Sequence, residues 1–218
     1  MTDKIVDLEL FRDRKRERVI MDQQLEELRE QRIGKQAATV FARLCAEGDA
    51  ERLYNGAEWL DDCATGSWRL AMRKVARLQS VSPEIQDAFL RIWIEHKMLP
   101  LTVGHRPTMV AALRVLMSGY AGPPLTVYRG AGCLERRRRL YGFSWTTDIE
   151  VARRFAQNWV HQPDGRAGHD WTSEGVLLKT VAPPEAILLV RQPEDYYDES
   201  EVVVDPFRLG SIYAQIES

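Results

Sequence analysis

Cysteine is scarce in this chain, with Cys45, Cys63 and Cys133 the only three in 218 residues. No CxxC pair and no cysteine–histidine cluster occurs, which argues against structural zinc and against a disulfide framework. Free, mostly buried thiols in a reducing compartment are expected. An excess of one charge sign is also lacking: 30 Lys and Arg face 32 Asp and Glu, for a formal charge of −2. So neutral a total argues against binding nucleic acid or membrane through bulk charge, although a local patch stays open. There is no run of apolar residues long enough to suggest a membrane-spanning helix. The stretch MTDKIVDLELFRDRKRER shows no continuous apolar core or small-residue cleavage site, so a cytoplasmic location is expected. The phosphate loop GxxxxGK, a GxGxxG after a strand, HExxH and GxSxG are all missing. His96, His105, His161 and His169 do not fall at metal-ligand spacing, and no metal is expected.

What is present suffices for a folded core, since 44% of residues are hydrophobic and 28% charged. The length suits one domain plus an extension. Residues 1–34 read as a charged helical extension, and Gly34 as its stop. Val19, Ile20, Leu25, Leu28 and Ile33 form a thin apolar stripe on it, too short for a sustained coiled coil. Such a helix either lies solvated against the body or binds a partner or a second copy.

Residues 35–218 read as the main domain, helical over 35–122 and strand-rich over 123–218. Ser82-Pro83-Glu84 has the form of an N-cap with proline at the first helical position. Ile85, Phe89, Ile92 and His96 follow on one face, and His96 reads as a helix-end or core histidine. After Pro124 short β-branched runs appear: LTVYRG, GVLLKTV, AILLVR, SEVVVDP and SIYAQI. Asp148 can cap an intervening helix carrying Val151, Phe155 and Trp159. The expected class is α+β.

Polar residues occur where strands should be apolar. Arg129 closes LTVY, Ser144 and Thr146 sit in GFSWTTD, and Glu199 and Glu201 flank Ser200 before VVV. In a continuous strand Glu199 and Glu201 would project to the same face and repel unless compensated. Such a carboxylate pair suits chemistry passing through a positive centre, as glycosidic cleavage does. Taken alone, an acidic pair in DYYDESE is most often a solvated loop.

In order, Tyr128-Arg129-Gly130, Phe143-Ser144-Trp145-Thr146-Thr147 and Glu199-Ser200-Glu201-Val202-Val203-Val204 resemble the ADP-ribosyltransferases. The likeness is to the Arg–Ser–Glu branch shared by arginine-modifying bacterial toxins and their phage and vertebrate relatives, and it covers roughly residues 123–218. It departs in placing Trp145 where the family has a small residue. Alternation sends Trp145 to the face opposite Ser144.

The resemblance implies a helical lobe followed by a mixed or antiparallel, sandwich-like transferase core, with NAD as co-substrate. It implies that Arg129 binds an NAD phosphate and that Gly130 lets the nicotinamide amide approach the backbone. Ser144 and Thr146 would orient the catalytic carboxylate and the nicotinamide ribose. Glu201 would be that carboxylate, stabilising the sugar cation as nicotinamide leaves. Glu199 would meet the acceptor, expected to be a protein arginine, with Tyr196 and Tyr197 as contacts in the loop 192–198. Phe155 would border the nicotinamide pocket or pack in the core.

A toxin, effector or phage setting follows from the same likeness, with an immunity partner and delivery into a target cell. Arg136–Arg139 read as a solvated turn, as a phosphate site, or as a guide for an RNA or DNA acceptor. The rival readings are an NAD glycohydrolase, a nucleic-acid ADP-ribosyltransferase, and a non-catalytic helical adaptor.

Overall fold

The computed structural model describes residues 3–159, 175–191 and 199–216. The helices are α1 (Asp3–Glu47), α2 (Ala50–Asp61), α3 (Ser67–Val75), α4 (Pro83–Glu95), α5 (Leu99–Val103), α6 (Arg106–Leu116), α7 (Cys133–Arg138) and α8 (Ile149–Trp159). The strands are β1 (Leu125–Gly132), β2 (Ser144–Thr146), β3 (Gly175–Ala182), β4 (Ile187–Val190), β5 (Glu201–Val204) and β6 (Tyr213–Ile216). The class is α+β, and the chain divides into two compact units, Met1–Leu116 and Met117–Ser218.

The first unit is helical. Helix α1 does not stop at Gly34, where the sequence suggested an end, but continues to Glu47. A Cβ at Gly34 would lie 2.2 Å from Ser67 Oγ, so the glycine serves close approach of α3 rather than termination. Every residue from Val19 to Ile33 is exposed. The apolar stripe is therefore not laid against the body: Val19, Ile20, Leu25, Leu28 and Ile33 are 45–61% exposed. From Gly34 onward one face of α1 turns inward, burying Ala37, Ala38, Phe41, Leu44 and Cys45.

The same unit buries Leu53 and Leu60 of α2, Trp68 and Met72 of α3, Ile85 and Phe89 of α4, and Met109, Leu113 and Leu116 of α6. The Phe41 and Trp68 rings meet edge to face at 5.3 Å. Each apolar set recurs at three- and four-residue spacing, which is why one face of each helix is buried. Asp49 accepts from Arg52 N to cap α2, and Pro83 opens α4. His96 caps α4, and its Nδ1 lies 2.7 Å from Asp61 Oδ2, tying the ends of α2 and α4 together.

In the second unit the six strands form one sheet in the order β4-β5-β2-β1-β3-β6, with every pairing antiparallel. Among the described residues the strands make this single open sheet, not the two facing sheets a sandwich requires. Alternation divides the residues between two faces. One is apolar, carrying Val127, Ala131, Trp145, Val176, Leu178, Val202 and Val204. Tyr120, Tyr141, Leu209 and Ile212 pack against it.

Helix α8 packs on the other face. A Cβ at Gly130 would stand 2.2 Å from Ala152 O, and one at Gly175 would stand 2.0 Å from Ala156 O. These glycines allow the helix to rest directly on β1 and β3. Asp148 Oδ1 accepts from Glu150 N at 2.8 Å and starts α8 as its cap. The helix covers only one end of this face. At the other end Thr126, Lys179, Val181 and Tyr213 are exposed and Tyr128 is half-buried.

Candidate active site

Sheet register sets a polar row across the partly open face. Glu201 of β5 pairs with Thr146 of β2, which pairs with Tyr128 of β1. Tyr128 pairs in turn with Lys179 of β3, and Lys179 with Tyr213 of β6. Directly opposed residues in antiparallel strands share a face, so these five side chains belong to one side of the sheet. Beyond β5, Arg191 extends the row. Its backbone N–H donates to Glu201 O at 2.9 Å, and its Nη1 to Glu201 Oε2 at 3.3 Å. The Arg191 side chain is 4% exposed and that of Glu201 12%, so the pair lies largely out of water. A neighbouring guanidinium fixes where the carboxylate stands and compensates for its burial.

Ser144 lies two residues from Thr146 on the same strand, opposite Val203 and on the same face as Glu201. Thr146 is the closer of the two hydroxyl residues in register. Its Oγ1 donates to Glu199 O at 2.7 Å and accepts from Asp148 N at 3.0 Å. One hydroxyl thus ties the entry of β5 to the start of α8. Trp145 points the other way and is buried, with Nε1 donating to Gly142 O at 3.1 Å.

Glu199 does not stand beside Glu201 as two residues of one strand. Strand β5 begins only at Glu201, and Ser200 has φ +44°, in the left-handed region. The turn breaks the alternation from which a same-face pair was expected. Ser200 O accepts from Thr147 N at 3.1 Å, which holds the turn against the end of β2.

Arg129 follows Tyr128 and so falls on the apolar face, away from Tyr128, Thr146 and Glu201. There its Nε and Nη2 donate to Glu135 Oε1 and Oε2 at 2.8 and 3.2 Å. Nη1 donates to Ser144 O at 2.7 Å, and Glu135 Oε1 also accepts from Gly142 N at 2.7 Å. The clasp fixes the chain between β1 and β2. The structure thus joins Arg129 to the Ser144 backbone, while Ser144, Thr146 and Glu201 share the opposite face.

Gly130 lies under α8, whose Phe155 backbone is among the atoms closest to it. Phe155 is 45% exposed, which separates it from the buried Val151 and Ala152 of the same helix. Arg136–Arg139 are all exposed, on the last turn of α7 and just past it. Tyr196 and Tyr197 lie outside the described residues. Sequence reasoning missed Glu135, Arg191 and Lys179 as partners in this region. Arg191 left a signal, since it closes the apolar AILLV as Arg129 closes LTVY.

No protein-family model, curated protein or solved structure matches this chain.

Proposed function

We propose that the chain is a mono-ADP-ribosyltransferase that cleaves the nicotinamide–ribose bond of NAD and transfers ADP-ribose to a protein arginine. The observation that carries the reading is the opposition of Thr146 and Glu201 on a partly open sheet face. A carboxylate opening an otherwise apolar strand, held by Arg191 and facing the Ser–x–Thr strand, suits a reaction through a sugar cation. In that reaction the ribose C1′–N bond breaks with its electron pair leaving on nicotinamide. Glu201 stabilises the positive charge left on the sugar, an effect of about 3–4 kcal/mol for one preorganised group. An acceptor guanidinium nitrogen then bonds C1′ and gives up a proton, which Glu199 takes as general base.

Arg129 enters this reading as the residue that positions β2 through the Ser144 carbonyl. The antiparallel sheet with α8 on one face serves as the transferase core, and the helical unit as the lobe before it. A toxin, effector or phage role, with an immunity partner, goes with the same reading. Hydrolysis of NAD by water is the second reading. It is favoured by the Ser200 turn, which takes Glu199 out of strand register with Glu201.

The test is nicotinamide release from NAD by the full chain, with agmatine as a small guanidinium acceptor. Transfer to agmatine that is lost in Glu199→Gln while release persists supports the arginine transferase. Release without transfer selects the glycohydrolase, and no release from NAD by the intact chain rejects both.

A further inference from the structure

Lys179 occupies a position that the reading above leaves unused. It lies on the same face as Glu201, in the row Glu201–Thr146–Tyr128–Lys179–Tyr213. Its Nζ stands 5.8 Å from the centre of the Tyr128 ring, and Tyr213, 70% exposed, is its direct neighbour on β6. No carboxylate among the described residues pairs with it. Arg129, the other cation on β1 and β3 near this region, projects to the opposite face and donates to both oxygens of Glu135.

We infer that Lys179, flanked by Tyr128 and Tyr213, is a binding site for the diphosphate and adenine of an adenine dinucleotide. The inference rests on the NAD reading for its link to Glu201. Three strand spacings separate β5 from β3, or about 14 Å. That separation, with the reach of a lysine side chain, matches a dinucleotide extended along the row, its reactive ribose at one end and its adenine at the other. An ammonium is a compact point charge suited to phosphate oxygens. An exposed tyrosine offers a face on which adenine can stack. Among the described residues, the end carrying Lys179 and Tyr213 is exposed, whereas α8 rests on the Gly130–Gly175 end.

The experiment measures ADP binding to the full chain by calorimetry, beside the Michaelis constant for NAD in nicotinamide release. ADP should bind the native chain. Lys179→Gln should weaken that binding about tenfold or more, with Lys179→Arg restoring most of it. Tyr213→Ala should weaken ADP binding but leave inorganic pyrophosphate binding unchanged. Where NAD is turned over, the Lys179→Gln loss falls in KM more than in kcat. Lys179 and Tyr213 are exposed, and an unchanged circular dichroism spectrum certifies that each variant is folded.

Failure of ADP to bind the native chain overturns the inference, and so does equal ADP affinity in native and Lys179→Gln chains. If NAD is turned over with a KM indifferent to Lys179, the transferase reading survives and this inference falls. If ADP binds through Lys179 but nicotinamide is never released, the site stands and the transferase reading falls.

Discussion

Arg129 donates through Nε and Nη2 to both carboxylate oxygens of Glu135, six residues further along the chain. Both side chains are largely buried, and the Glu135 carboxylate also receives the Gly142 N–H. Glu135→Ala therefore strips three donors of their acceptor and leaves a guanidinium in the protein. We expect a loss of roughly 2–4 kcal/mol, read as a lower urea midpoint with an unchanged slope. Arg129→Lys should lose much of the same stability, because a single ammonium cannot match the two-pronged contact. A Glu135→Ala chain as stable as the native one would show that the clasp adds nothing.

Gly130 gives a second prediction. Replacing it with alanine sets a methyl group 2.2 Å from the Ala152 carbonyl oxygen, against helix backbone that cannot rotate aside. The reduced freedom of the unfolded chain returns only about 0.4–1 kcal/mol. The overlap prevails, at about 2–3 kcal/mol of net destabilisation. Thermal melting checks this, with Gly210→Ala as a control site where nothing lies within 4 Å of the added methyl. Equal melting temperatures for the two variants would mean that α8 does not rest on β1 as described.

The strands were legible because each is a short β-branched run between turn residues, and all five runs named from the sequence contain a strand. The amphipathic spacing around Phe89 and Leu113 likewise announced the buried faces of α4 and α6. Three features were not legible. Gly34 looks like a helix stop because glycine usually marks one, and only the arrival of Ser67 gives it a different purpose. Glu135 sits in a run of charged residues, and nothing local distinguishes it from its neighbours. Its partner is chosen by the path of the chain between β1 and β2. The Ser200 turn is a third such case, since Glu-Ser-Glu fits a strand by composition. Side-chain faces follow from register, and register is a tertiary property.

In the proposed transferase, Glu201 serves both function and stability. Under that proposal Glu201→Gln should abolish nicotinamide release, because it would remove the charge assigned to stabilising the sugar cation. It should also lower stability by roughly 2 kcal/mol, since Arg191 is 4% exposed and loses the charge of Glu201 beside it. Arg191→Met with native Glu201 should lower stability as well, but reduce release only in part. The two readouts separate catalysis from support. A Glu201→Gln chain that still releases nicotinamide at the native rate would remove Glu201 from the reaction.

Helix α1 changes character at Gly34, and truncation can find the boundary. Residues 19–33 are exposed, whereas Ala37, Ala38 and Phe41 are buried. Deleting the chain through Ile33 should leave the denaturant midpoint nearly unchanged and improve solubility, since the exposed Val19, Ile20, Met21, Leu25, Leu28 and Ile33 go with it. Deleting through Glu47 should unfold the first unit, because Phe41 alone fills space beside Trp68 that is worth about 3–5 kcal/mol. A midpoint that falls equally for both truncations would place the boundary N-terminal to Gly34.

Cys45 reports on the same buried end of α1. Burial pushes its thiol from 9.0 up to about 12, with a hydrogen bond to the backbone acting in the opposite direction. The thiolate is the reactive form, so an aromatic disulfide reagent at pH 8 should leave Cys45 unmodified until the unit unfolds. Cys63 and Cys133 are only partly buried and should react first. The linkage has a definite sign. Below pH 9 the thiol holds its proton in both states and has no effect on the slope. Above pH 9 the unfolded chain loses that proton while the native chain keeps it, so the unfolded state binds fewer protons and stability falls as pH rises. The fall continues until the native thiol also ionises near 12. Cys45→Ala should flatten this alkaline slope relative to the native chain. If the two slopes coincide between pH 9 and 11 and Cys45 reacts as fast as Cys133, the first unit does not enclose it.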